Sequence, residues 1–123
     1  MSDCVFCRIL NDSNEPAEIV WSTVNSIGIV PLNPVTEGHV IVMPNVHVSD
    51  AVEDPRVTGT TMADAARYAE MAGVGPVNFI TSVGREATQS VFHLHIHVVP
   101  RVENDGLALP WHSGKTSKKR EVH

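Results

Sequence analysis

Apolar residues along this chain fall into short blocks separated by turn formers, and the blocks follow two different periods. β-like runs occupy Glu18–Ser22, Ile27–Leu32, His39–Met43, Val77–Thr81 and Val91–Pro100, punctuated at Asn25-Ser26, Asn33-Pro34, Glu37-Gly38, Gly73–Pro76 and Gly84. Between the third and fourth runs, Asp54-Pro55 reads as an N-cap followed by proline at the first helical position. Met62, Ala65, Ala66, Ala69 and Ala72 then recur at helical spacing until Gly73. The pattern predicts five strands in one sheet and one main amphipathic helix whose Ala and Met stripe packs against that sheet. Short connections favour antiparallel neighbours, because a parallel pair needs a crossover and only the helical segment is long enough to supply one. The fold class expected is α+β.

Composition changes this picture little. A chain of 123 residues, 42% hydrophobic and 19% charged, suits one domain over residues 1–112, followed by a basic tail at 113–123. Lys115, Lys118, Lys119 and Arg120 crowd into that tail, which reads either as a solvated, disordered terminus or as a phosphate-seeking arm. Apolar runs such as Ile27–Leu32 fall far short of the roughly 18–20 residues of a membrane span, and MSDCVFCRIL has no basic segment leading into an apolar stretch. The expectation is a soluble, unexported protein with no membrane partner. A net charge of -5 argues against a surface that grips nucleic acid, which requires many cations, while leaving small anions open. Cys4 and Cys7, two residues apart, suit a reducing compartment where thiols act as ligands or redox groups, so the cytoplasm is expected.

The chemistry concentrates in Val91–Pro100, where His93, His95 and His97 alternate with Leu94, Ile96 and Val98. As a strand, this segment turns the aliphatic residues to the core and lines the three imidazoles on the other side at intervals of about 6.6 Å. His93 and His97 would then be about 13 Å apart, too far to share one tetrahedral ion, so at least one histidine needs another task. The alternative to metal binding is nucleophilic and acid–base work, because imidazole with a pKa near 6.5 keeps an attacking nitrogen available at neutral pH. Phosphorus is a plausible target. Solvated histidines on an open sheet face explain strict threefold alternation poorly.

The stretch Gln89–Arg101 resembles the signature of the histidine-triad (HIT) family, three histidines each followed by an aliphatic residue. The resemblance extends to Cys4-Val5-Phe6-Cys7, to Thr36–Pro44 with His47 beyond, and to Trp111, covering about residues 3–112. It implies a HIT-like fold with a short N-terminal zinc-knuckle segment, and a homodimer. It further implies that His95 attacks the α-phosphate of a small nucleotide substrate to form a nucleotidyl-histidine, with His97 near the phosphate oxygens and His39 supporting the pocket. Ser90 and the backbone N–H groups around Gln89 are candidates to hold phosphate oxygens or assist the leaving group.

Two thiolates in a C-x-x-C spacing need two further ligands to close a zinc site, and the resemblance implies His47 and His93 beside Cys4 and Cys7. A redox dithiol is the rival, although the strand–helix setting of a thioredoxin motif is missing. Three positions depart from the family pattern. Pro31 stands where an Asp or Asn usually holds the ribose hydroxyls, so Asn33 substitutes or the substrate is not an ordinary ribonucleotide. Ser82 stands where Asn or Gln is common, after Asn78 on the preceding strand, and Thr88 replaces a Gly. The expected activity is hydrolysis or transfer of nucleoside monophosphate groups from phosphoramidates or related conjugates, with structural zinc and no catalytic metal. The rivals are a nucleotide-binding regulatory module with little turnover and a metal-dependent hydrolase with His93 and His95 on one ion.

Overall fold

The computed structural model describes residues 4–11 and 14–112; the basic tail lies outside them. In chain order the elements are α1 (Val5–Asn11), β1 (Glu18–Ser22), β2 (Ser26–Val30), β3 (Val40–Pro44), α2 (Pro55–Ala72), β4 (Val77–Ile80), a 3-10 turn (Arg85–Ala87) and β5 (Ile96–Pro100). The strands form one antiparallel sheet in the order β1-β2-β3-β5-β4. This is the α+β, five-stranded antiparallel architecture expected, with a helix where the N-terminal knuckle segment was anticipated. No described helix is long and apolar enough to cross a membrane.

Helix α2 starts and stops where its sequence signals do. The Asp54 carboxylate accepts from the Arg56 N–H at 3.1 Å, Pro55 occupies the first turn, and Gly73 closes the helix in the left-handed region with φ 65°. The buried face differs from the expected stripe. Thr61, Asp64, Ala65 and Ala69 are buried with Met62 and Tyr68 beside them, whereas Ala66 and Ala72 are exposed. The inward positions follow i, i+3, i+4, i+8, and two polar residues within that set hid it from a reading by hydrophobicity. Asp64 tolerates burial because it accepts from Ser26 Oγ at 2.7 Å, Thr23 Oγ1 at 2.9 Å and Arg67 at 2.9 Å. Burial pushes its carboxyl upward, but these donors outweigh that and hold it below the usual carboxylate range.

Each face of the sheet carries its own core. Val40, Val42, Ile96 and Val98 point to α2, joined by Ala65 and Ala69. Gly28, opposite Val42, leaves this face bare: a Cβ there would lie 3.0 Å from that of Trp21. Phe6, Ile27, Ile29, Ile41 and Met43 form the second core, under α1. β3 is therefore buried on both sides. Each apolar side chain removed from water contributes about 1.5–3 kcal/mol, so this strand is a rigid support for what flanks it.

The fifth strand is shorter than the alternation suggested. It spans Ile96–Pro100, and residues 91–95 bend away instead of continuing the ladder. Pairing with β3 stops at Val42 opposite Ile96, and extending that register would set Pro44, which has no N–H, opposite Leu94. The Leu94 N–H donates instead to the Val48 carbonyl at 2.7 Å. The uniform 6.6 Å spacing of the three histidines is thereby corrected: only His97 lies in the strand.

Candidate active site and metal centre

The bend separates the histidine row into two environments. His93 turns inward and is fully buried. Its Nε2 lies 3.1 Å from the Pro44 carbonyl, which can only accept, so Nε2 carries the proton and Nδ1 is bare. That nitrogen faces Cys4 Sγ at 3.5 Å, Cys7 Sγ at 3.5 Å and His47 Nδ1 at 3.2 Å; Cys7 Sγ and His47 Nδ1 are also 3.2 Å apart. All four donor atoms lie within 4.8 Å of one another. An ion about 2.3 Å from sulfur and about 2.0–2.1 Å from nitrogen places tetrahedral ligand atoms about 3.3–3.8 Å apart, close to the spacings found. Two soft sulfurs and two imidazoles are the donor set of a structural zinc site, and these four residues could hold a metal. Burial, opposed by the Pro44 carbonyl but reinforced by His47 and His95, lowers the His93 pKa to about 4 and keeps the ring neutral, as a ligand must be. Burial and the neighbouring Cys4 push the Cys7 thiol up; a bound cation would reverse that.

His95 and His97 sit at the other end, half-buried, with ring centroids 5.2 Å apart. His95 Nδ1 donates to the His93 carbonyl at 2.8 Å, leaving Nε2 with its lone pair and no hydrogen-bond partner among the described residues. His97 is set by a relay. The Val35 N–H donates to His39 Nδ1 at 3.0 Å, so His39 Nε2 carries the proton, and it meets His97 Nδ1 at 2.9 Å. The proton of neutral His97 therefore sits on Nε2, available to an incoming acceptor. Burial lowers His39, and burial together with His95 and His39 brings His97 to about 4, so the relay is neutral at physiological pH. Burial likewise lowers His95, against the opposing pull of the His93 carbonyl. The arrangement presents one unprotonated nitrogen and one N–H donor on neighbouring rings. His95 is not among the grouped metal-ligand side chains.

The loop before the triad is held from within. The Gln89 amide accepts from the Gly84 N–H at 2.8 Å and donates to the carbonyls of Ser49 at 2.7 Å and Val91 at 3.1 Å. The buried Gln89 side chain thus shapes the loop that presents the exposed Ser90. Thr88 adopts φ 75°, a left-handed conformation costly for a β-branched residue. Ser82 is half-buried just before this loop. Asn78, on β4, accepts from Arg101 at 2.7 Å, and Arg101 also binds Asp105 and the Leu107 carbonyl. Asn33 and half-buried Pro31 lie in the β2–β3 connection, where Asn33 is exposed.

Reading by residue type missed Phe6 and Thr81. The Phe6 ring stands edge-on between His93 and His95, with centroids 5.8 and 5.1 Å away, and its place between two cysteines was the available signal. The Thr81 hydroxyl donates to the His95 carbonyl at 2.7 Å, and nothing in the local sequence marks it.

The HIT domain profile matches residues 12–104 of this chain. The adenosine 5'-monophosphoramidase of Saccharomyces cerevisiae is 30% identical over 115 residues, covering 92% of this chain and 72% of that protein. The adenylylsulfatase of Arabidopsis thaliana is 30% identical over 127 residues, covering 96% of this chain and 64% of the longer plant protein. A zinc-bound histidine triad family protein from Mycobacterium smegmatis superimposes with a TM-score of 0.73 at 36% identity, covering 86% of this chain and 80% of the other. The bent histidine segment, its sheet and these similarities have one conclusion: the chain belongs to the HIT family.

Proposed function

We propose that this protein hydrolyses or transfers nucleoside monophosphate groups from nucleoside 5'-phosphoramidates or related conjugates, through a nucleotidyl group carried on His95. The observation that supports this most is the bare Nε2 of the His95 ring, whose centroid lies 5.2 Å from that of His97, the ring that keeps its proton on Nε2. The His95 lone pair forms a bond to the α-phosphorus while the bond to the leaving group breaks. The departing amine leaves with the bonding electron pair and takes up a proton. Water then attacks the same phosphorus and gives up a proton, which balances the one the amine took, and the P–N electron pair returns to Nε2 so that the ring is again neutral. His97 donates to a phosphate oxygen, His39 holds His97 in the donating tautomer, and Ser90 with the neighbouring backbone N–H groups meets developing charge or the leaving group. In this reading Ser82, Asn78 and Asn33 contact the substrate, Asn78 with a side chain that Arg101 already holds, and Gln89 supports the site through its loop. No metal takes part in the chemistry.

Cys4, Cys7, His47 and His93 would hold zinc, which when bound ties α1 to the segment carrying His95. The relatives whose names give an activity act on nucleotide conjugates, which favours this substrate class. A homodimer belongs to the same reading, supported by Ala66, Ala72 and Met71 lying exposed on α2 and Ile80 on the edge strand β4.

One experiment tests the assignment. The protein is mixed with an adenosine phosphoramidate, with and without chelator, then acid-quenched and searched for an adenylated peptide containing His95. Adduct and turnover that survive the chelator, and vanish in His95→Ala, support it. Saturable nucleotide binding without adduct, the outcome Pro31 and Ser82 favour, replaces the enzyme with a binding module. Turnover lost to chelator while the fold persists assigns the chemistry to a metal.

A further inference from the structure

His95 lies just outside both ladders that hold β5. Pairing ends at Val42 opposite Ile96 on one side and at Ile80 opposite His97 on the other. An imidazole aims where its backbone directs it, and here the sheet no longer dictates that direction. Thr81, the first residue after β4, supplies the missing hold: its hydroxyl donates to the His95 carbonyl at 2.7 Å in half-buried surroundings. The Leu94 N–H, one peptide earlier, is held by the Val48 carbonyl, and the ring itself by the His93 carbonyl at 2.8 Å. Two bonds thus fall on His95 itself, from the Thr81 hydroxyl and to the His93 carbonyl, and a third holds its neighbour Leu94. Extended register would set Thr81 opposite Ile96, so its hydroxyl reaches one residue past its own register partner and two past His97 of the last regular pair.

We propose that Thr81 is a positioning residue for the nucleophile: its hydroxyl clamps the His95 carbonyl and so fixes where Nε2 points. The inference rests on the reading of His95 as the nucleophile. A valine in place of Thr81 keeps the branched shape and removes only the donor. The freed carbonyl then turns toward water, and the ring loses its defined aim. Displacing an attacking atom by about 1 Å lowers a rate by about a hundredfold, whereas ground-state binding through other groups is little affected.

The test compares wild type, Thr81→Val and Thr81→Ser for kcat and KM on an adenosine phosphoramidate, and for the His95 ring by nitrogen NMR. In Thr81→Val, kcat falls about 10- to 100-fold with KM within about threefold, and Thr81→Ser recovers most of the loss. The wild-type His95 ring shows a single Nδ1–H tautomer, which becomes a mixture in Thr81→Val. A valine variant with kcat within about twofold of wild type, or a serine variant as slow as valine, overturns the proposal. Should valine prevent folding, Thr81→Ala carries the same expectation. If wild type neither turns over nor forms an adduct, the reading of His95 as nucleophile fails. The NMR comparison still decides on Thr81, since an unchanged ring in Thr81→Val overturns the clamp.

Discussion

His93 and His95 are two residues apart, are both drawn toward neutrality by burial, and touch the same Phe6 ring, yet they face different chemistry. In His93 the protonated Nε2 donates to the Pro44 carbonyl, which leaves the bare Nδ1 among two sulfurs and a second imidazole. In His95 the protonated Nδ1 donates to the His93 carbonyl, which leaves Nε2 without a partner among the described residues. Which ring nitrogen a backbone carbonyl occupies, and what the other one meets, separates an imidazole placed to ligate from one placed to attack. The lesson is that an imidazole's role is set by its second nitrogen.

The sharpest break in this comparison is a crossed pair of substitutions. His95→Ala lowers adenosine phosphoramidate turnover by at least about 10⁴-fold with the melting temperature nearly unchanged. His93→Ala, measured in the same assays, loses bound metal and thermal stability first. Equal activity losses with equal melting points would erase the distinction drawn between the two rings. Next in size, Cys7→Ser or His47→Ala leaves less than a tenth of an equivalent of metal and lowers the melting temperature by about 5–15 °C, as expected for several kcal/mol lost from a small domain. Metal analysis with calorimetry decides it. A variant that remains fully loaded would show that the four donors do not act as one site.

The end that holds His39 and His97 should also carry its own pH dependence. His97 and His39 have pKa values below 6.5 when folded, His97 near 4. The unfolded chain therefore takes up protons first on acidification. Their contribution is complete above about pH 6.5 and is lost progressively as pH falls toward about 4. Melting temperature measured across that window should decline, and His97→Gln should flatten the decline. A steeper slope in the variant would contradict the neutral relay. The smallest effect expected is at Thr88, where glycine should raise stability by about 1 kcal/mol by relieving the left-handed backbone, read from denaturant midpoints. No gain there would mean the loop tolerates φ 75° without strain.

Much of the fold was written in local periodicity. The proline and aspartate before α2, the glycine after it and the turn formers between strands placed α2 and the five strands to within a few residues, apart from the start of β5, while the 3-10 turn at Arg85–Ala87 was not marked. Errors arose where a distant partner overruled local pattern. Thr61 and Asp64 look like surface residues until Ser26 and Thr23 arrive to bond the carboxylate. Alternation through Val91–Ile96 looks like strand until Pro44 ends the ladder beside it.

The candidate site divides in the same way. The sequence by itself determined the residue types, the strict alternation of imidazoles and the C-x-x-C pair, because these are properties of neighbours along the chain. The tertiary structure alone decided each ring's tautomer and exposure. Pro44 reaches His93 across 49 positions, His39 reaches His97 across 58, and Cys7 meets His47 across 40. A proton's place on an imidazole depends on whichever acceptor or donor lies within about 3 Å, and folding, not sequence spacing, brings such partners together.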